Sequence, residues 1–343
     1  MHRPPPPVRG RTRIARDAMK IPRREFLSLA VGAAAAPTLP QLASALDYPT
    51  RPVRLIEGYG AGGTPDLVSR LIAQWLSQRL GQPFVVENRN GASGNLATEA
   101  VATAPPDGYM LLTCASANPI NAALYTKLNF NFIRDIAPVA GLIRVPLVLL
   151  ANPSLPPKTF PEFIAYAKAN PGKINMATPG IGTPMHVATD LLKMMTGIDI
   201  VEVPYHGPAP AFTDLLAGQV QNFIITVPAA IGFIRTGKLR ALAVLSAARL
   251  EVLPDIATVG ETVPGYEASA WDGIGAPRNT PAEIIDRLNG TINAGLADPQ
   301  IKARLKDLGG DPMPMTPAEF GKFLADETEK WAKVVKFSGA KAD

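Results

Sequence analysis

From residue 50 onward, short apolar runs of strand character alternate with amphipathic helical stretches, and the alternation happens twice. In the first series "VRLIE", "FVVEN" and "YMLLTCAS" read as extended, separated by helices over about 65–80 and 94–104. The run "IAPVAGLIRVPLVLLAN" (136–152) then carries two apolar stretches and is the expected passage between lobes. A second series follows: "FPEFIAYAKAN" helical, "INMATPG" extended, a helix beginning near Pro184, "DIVEVPY" extended, "APAFTDLLAG" helical, then "VQNFIITV" and "LRALAVLS" extended. After "YEASAWDGIGAP" come three helical stretches near 281–297, 299–308 and 317–335. Such alternation predicts an α/β chain of two lobes, each a mainly parallel sheet flanked by helices. The prolines cluster between elements, where they act as stops and helix starts.

The charge balance narrows the function classes. The net charge of +5 comes from residues 1–45, which hold eight bases and two acids, leaving 26 bases against 27 acids in the remainder. A near-neutral body removes the main argument for nucleic-acid binding. Residues 1–45 read as a cleaved export signal: a basic start, the apolar run "FLSLAVGAAAA", too short to span a bilayer, and "ASA" at Ala43–Ala45. "PRREFL" resembles a twin-arginine signal, although Pro22 stands where Ser or Thr is usual, so the ordinary secretory route stays open. "MHRPPPPVRGRTRIARDA" reads as an upstream extension, with Met19 as an alternative start to Met1. The expected location is the periplasm, with cleavage near Ala45. Cys114 is the only cysteine and lies in an apolar run, which predicts a buried, inert thiol and no internal disulfide.

One local repeat points to chemistry. "GAGGTPD" (60–66) is echoed by "GIGTPMH" (180–186), one copy in each series. Thr64 and Thr183 are suited to cap helices whose first position is Pro65 or Pro184. Each lobe is therefore expected to present a helix N-terminus behind a glycine turn, an anion receptor built from backbone N–H groups at Gly60, Gly62, Gly63, Gly180 and Gly182. Gly58, Gly60 and Gly63 also fit the G-x-G-x-x-G spacing, with Glu87 ending the next strand, which would make the chain an exported NAD(P)- or flavin-dependent oxidoreductase. Against that, Thr64-Pro65 sets the helix start after the glycines, and Asp66 would repel a pyrophosphate. No P-loop, nucleophile elbow or metal-ligand spacing is present, so no cofactor or metal is expected. Ser116 and Asn118 follow the third strand, at the sheet edge where open α/β folds place ligands.

Residues 59–112, "YGAGGTPDLVSRLIAQWLSQRLGQPFVVENRNGASGNLATEAVATAPPDGYMLL", closely resemble the opening of the exported receptors of tripartite tricarboxylate transporters, the Bug receptors. The likeness continues through "INMATPGIGTPMHVATDLL", "VPYHGPAPAFTDLLAGQV", "GKLRALAVLS", "LPDIATVGE" and "GIGAPRNTPAEIIDRLN". It implies a two-lobed periplasmic-binding-protein (type II) fold, with residues 47–150 plus about 271–343 as lobe 1 and 151–270 as lobe 2. The implied function is non-catalytic: a monomer that captures a small organic, aromatic or amino acid between its lobes. It would hand that acid to the two membrane subunits of such a transporter, or report it to a sensor.

The resemblance also implies site residues. A ligand carboxylate would lie between the turn from Tyr59 to Asp66 and the turn from Thr178 to His186, held largely by backbone N–H groups and ordered water. Asp66 would meet an amino or hydroxyl group or serve the helix dipole. His186 would be a donor to the ligand or a helix-surface residue, Tyr205 would border the cleft or pack, and Trp271 would line the cleft or fill the core. Many relatives read "VDVMFD" at 220–225, where this chain has "VQNFII", so Gln221 and Ile225 replace two acids. An apolar residue at 225 predicts a ligand with an apolar or aromatic body rather than citrate or a free amino acid.

Overall fold

A computed structural model describes residues 47–342, and both alternating series are present in it. The export signal expected at 1–45 lies outside the described residues. The first series runs β1 (Val53–Glu57), α1 (Thr64–Leu80), β2 (Phe84–Asn88), α2 (Asn95–Ala102), β3 (Met110–Ala115), α3 (Ala117–Leu124) and α4 (Phe132–Asp135). Next come β4 (Ile136–Ala151), α5 (Phe160–Ala169), β5 (Asn175–Thr178), α6 (Pro184–Thr196), β6 (Val201–Pro204), α7 (Pro208–Leu216), β7 (Asn222–Thr226), α8 (Val227–Arg235) and β8 (Arg240–Val244). The chain closes with β9 (Ser269–Pro277), α9 (Ala282–Ala297), α10 (Pro299–Asp307), β10 (Asp311–Pro312) and α11 (Pro317–Ser338).

Local chemistry explains where these helices begin and end. The Thr316 hydroxyl accepts from the Glu319 N–H and the Glu319 carboxylate returns the bond, a capping box with Pro317 at the first position. The Asp298 carboxylate caps α10 through the Gln300 and Ile301 N–H groups. Gly81 and Gly197 end α1 and α6 in the left-handed conformation.

The strand order is β2-β1-β3-β9-β4-β7-β5-β6, with β8 and β10 also pairing on β4. The outer pairs β1–β2, β1–β3, β5–β6 and β5–β7 are parallel, as the alternation predicts. The centre is antiparallel, so the sheet is mixed. The two apolar stretches expected at 136–152 form one strand of 16 residues, roughly 50 Å long at ~3.3 Å per residue. Residues 136–146 of it pair with β9, and 147–151 pair with β7. Pro146 stands at the changeover, where β4 leaves one partner for the other and a missing N–H costs least.

Each half has its own core. Val53, Leu55, Ile72, Leu76, Ile274 and Leu288 pack in the first, and Leu149, Phe163, Val187, Leu191 and Ile224 in the second. Trp331 and Val334 of α11, with Ile120 and Leu124 of α3, join the second. The elements not anticipated are α3, α4, α8, β9 and β10. "ANPINAAL" hides its helix behind Pro119, and the glycines of "SAWDGIGAP" mask a strand in which Gly273 and Gly275 are required by close packing. A Cβ at Gly273 would lie 2.3 Å from Phe320 Cζ, and one at Gly275 would lie 2.4 Å from Ile136 Cγ2.

Candidate functional site

Where β4 changes partners a cleft of about 440 Å³ opens, bordered by residues from both sheet halves. Five helices begin at its walls: α1 at Thr64 and Pro65, α3 at Ser116 and Ala117, α6 at Thr183 to Met185, α7 at Pro208, and α8 from its cap Thr226. The first N–H groups of a helix have no partner within it, and the helix dipole adds partial positive charge there. Five such ends around one cavity make a receptor for negative charge, assembled without any lysine or arginine among the bordering residues. Between them the walls are apolar, with Val145, Ile181, Met185, Ile225 and Ala229.

The second glycine turn folds as its sequence predicts. The Thr183 hydroxyl accepts from the His186 N–H at 3.3 Å and donates to the Gly180 carbonyl at 2.8 Å. Gly182 has φ +78°, and a Cβ there would lie 2.6 Å from Leu124, so only glycine lets α3 and this turn approach. The first turn corrects one expectation: Thr64 is not the cap. Helix α1 begins at Thr64 with Gly63 in the cap position and no side-chain cap bond. Its first turn is served instead by Asp66, whose carboxylate accepts from the Gly62 N–H, from Arg70 and from Asn88. Burial alone would raise the Asp66 pKa, but these bonds hold it at about 2. Asp66 is thus a resident anion with its partners inside the protein.

The other predicted residues divide into two groups. Tyr59, Thr64, Ser116, Gly182 and Thr183 border the cleft. Gly60, Gly62, Gly63, Asp66, Asn118, Thr178, Gly180, His186 and Tyr205 are not among the residues that border it. Asn118 accepts from the Ala115 N–H at 2.7 Å and donates to Thr98 at 2.8 Å, tying β3 to α2. The Thr178 hydroxyl reaches the Gly180 carbonyl at 3.4 Å. Tyr205 donates to Asp214 at 2.7 Å. Trp271 borders the cleft, but its ring packs edge-on against Phe320 and Phe323 in the core and its N–H reaches Glu327. Ile225 lines the cleft, whereas Gln221 is bound to Asn175 and Gly218. The Cys114 thiol is fully buried, as its setting predicts.

His186 is buried beside two acids. Its Nε2 lies 3.8 Å from both Asp190 Oδ2 and Glu202 Oε2, two buried oxygens with no hydrogen-bond partner. The three atoms are close enough to hold a metal ion. The Gly182 N–H, however, points at Nδ1, 3.4 Å away, which leaves the imidazole proton on Nε2. Nε2 then offers the carboxyls a hydrogen rather than a metal a lone pair. Burial and the neighbouring Glu202 push the Asp190 pKa upward, toward the protonated form.

The sequence reading missed two acids. Asp272 of β9 borders the cleft. Glu57, at the end of β1, is fully buried; it accepts from Ser69 at 3.0 Å and from the Tyr59 N–H at 3.2 Å. Burial raises its pKa from 4.5 to about 7, with the Ser69 and Tyr59 bonds opposing the rise. The folded state therefore binds this proton more tightly than the unfolded chain, and stability falls as pH rises from about 4.5 through about 7. Glu57→Gln keeps an acceptor without the charge and should gain on the order of 3 kcal/mol at about pH 8 with little change at about pH 4. Urea unfolding of both proteins at the two pH values checks this; equal differences at both would reject it.

The glycines of the first turn also have a structural explanation. A Cβ at Gly58 would lie 2.8 Å from Gly94 Cα, so this glycine admits the 91–94 turn. The Glu87 carboxylate is held by Arg54 and Arg89.

Comparison with known proteins gives a family. The model for "Tripartite tricarboxylate transporter family receptor" matches residues 68–339. Protein BugT of Bordetella pertussis (strain Tohama I) is 38% identical over 301 residues, which are 87% of this chain and 92% of the relative. Among solved structures, R. palustris Rpa4515 with adipate superposes with a TM-score of 0.73 at 37% identity, covering 86% of this chain and all of that one. MatC (Rpa3494) from Rhodopseudomonas palustris with bound malate gives 0.70 at 34%, covering 84% and 100%. Periplasmic binding protein BugD gives 0.70 at 33%, covering 86% and 100%. The oxidoreductase alternative finds no support among these relatives.

Proposed function

The chain belongs to the receptor family of tripartite tricarboxylate transporters, and from that premise we propose that its cleft captures one small organic acid in the periplasm without transforming it. The observation that carries the reading is the convergence of five helix N-termini on a cavity of about 440 Å³. A carboxylate there accepts several oriented N–H bonds at once, and a water-poor pocket strengthens each. The adipate and malate found in two related structures are acids of this size. The ligand-contacting groups are the hydroxyls of Tyr59, Thr64 and Ser116, which border the cleft, with the first-turn N–H groups of Thr64, Ala117 and Met185.

In this reading residues 47–150 with 271–343 form one lobe and 151–270 the other, and β4 and β9 carry the hinge. Closure would exclude water and present a new surface to the two membrane subunits of a transporter, or to a sensor. The apolar walls, Ile225 among them, favour an acid with an aliphatic or aromatic body. A thermal-shift screen tests this with adipate, benzoate, hexanoate, citrate and aspartate. Acids with apolar bodies should stabilise by about 3 kcal/mol at a hundred times their Kd, a rise of several degrees. Stabilisation by citrate or aspartate alone would reject the ligand class, and stabilisation by no acid would reject the receptor reading. Native mass spectrometry of freshly purified protein would identify an acid carried through purification.

A further inference from the structure

Asp272 is the sole carboxyl among the residues bordering the cleft, is only 5% exposed, and has no hydrogen-bond or ion-pair partner among the described residues. Its position in β9 sets its direction. Asp272 pairs across the ladder with Ala115 of β3, so the two side chains share a face of the sheet, and Ala115 also borders the cleft. Thr113, two residues earlier in β3, is on that face too, and its hydroxyl meets Ser69, which donates to Glu57. Trp271, the next residue in β9, turns to the opposite face. A buried polar group without a partner is costly, and a carboxyl left so beside a cavity is one that a guest molecule can satisfy.

We propose that the Asp272 carboxyl donates a hydrogen bond to a carboxylate oxygen of the bound acid. The inference rests on the carboxylate reading of the cleft. The titratable groups that interact electrostatically with Asp272 are Glu57 from β1, Tyr59 from the first turn and, from the other face of β3, Cys114, none of them a cation. Burial, and next the neighbouring Glu57, push the Asp272 pKa well above the usual carboxylate range, which favours the protonated carboxyl. An ionised aspartate would repel an acid; a protonated one offers it an O–H donor.

Calorimetric titration of the parent, Asp272→Asn and Asp272→Leu with adipate and benzoate tests the proposal. Asn keeps a donor in the same place and should bind within about threefold of the parent, whereas Leu should bind at least about tenfold more weakly with an unchanged Tm. Raising the pH until the parent carboxyl ionises should weaken the parent and leave D272N within about threefold of its own low-pH affinity. Parent-like binding by D272L, or an equal pH effect in D272N, which would assign that effect to Glu57, overturns the proposal and leaves the receptor reading intact. If D272L does not fold, the D272N pH comparison decides alone. A parent that binds no acid of the earlier screen defeats the receptor reading, and this inference falls with it.

Discussion

Thr183→Asp should weaken binding of a carboxylate by about two orders of magnitude or more while changing stability by no more than about 1 kcal/mol. The two effects separate because they use the same N–H groups in different ways. Aspartate is as good a cap as threonine, and its oxygen can accept from the His186 N–H, as the Thr183 hydroxyl does at 3.3 Å. It loses the hydroxyl's bond to the Gly180 carbonyl, a loss of about 1 kcal/mol that the favourable dipole interaction offsets. At the cleft wall, however, a fixed negative charge stands where the ligand's own charge must come. Two like charges about 4 Å apart at an effective dielectric near 20 repel by about 4 kcal/mol. Thr183→Asn, an equivalent cap without charge, should bind within about tenfold of the parent. Calorimetry with a stabilising acid, beside urea unfolding, reads both quantities. An aspartate variant that binds like the parent would mean that the ligand does not lie against α6.

The largest loss of stability is expected at Gly309. This residue has φ +85°, and a Cβ on it would lie 1.7 Å from Cγ of Pro228 in the first turn of α8. The left-handed conformation costs a non-glycine residue about 1–2 kcal/mol, and forcing a methyl group against a rigid ring adds about 1–3. Gly309→Ala should therefore destabilise the protein by about 2–5 kcal/mol, seen as a lower urea midpoint at unchanged slope. The contact also has a mechanical meaning. Gly309 precedes β10, which pairs with residues 143–144 of β4, whereas α8 follows β7, which pairs with residues 147–151. Gly309 and Pro228 thus lie on either side of the point where β4 changes partners. A methyl group there should alter the relation between the two sheet halves, and ligand affinity should fall with stability. A variant as stable as the parent would show that the turn can move away at little cost.

How much was legible varies with the range of the forces involved. The Thr183 cap was readable because a Gly-Thr-Pro sequence carries its own local chemistry, and the same grammar failed by one residue at Thr64. There a side chain two positions on, Asp66, takes the Gly62 N–H while Arg70 and Asn88 neutralise it. No rule of local spacing contains that network, since Asn88 reaches it from a different strand. Ile225 was singled out by its difference from relatives, and it does line the cleft. His186 is open in sequence to a ligand role or a helix-surface role, and its ring lies beside Asp190 and beside Glu202, which comes from β6. Asp272 was passed over because the glycines around it conceal a strand whose backbone is packed too tightly for any other residue.

The alternation of strands and helices in both series, the two glycine turns and the family were legible in the amino-acid sequence alone, because periodicity, caps and turn residues act over a few positions of chain. The tertiary structure alone decided that β4 runs through both halves, that five helix ends meet at one cavity, and that Asp272 stands unpartnered beside it. Those are facts about elements distant in sequence, brought together by burial of two apolar cores. Burial has no direction of its own, and takes one only when every strand has found its neighbour.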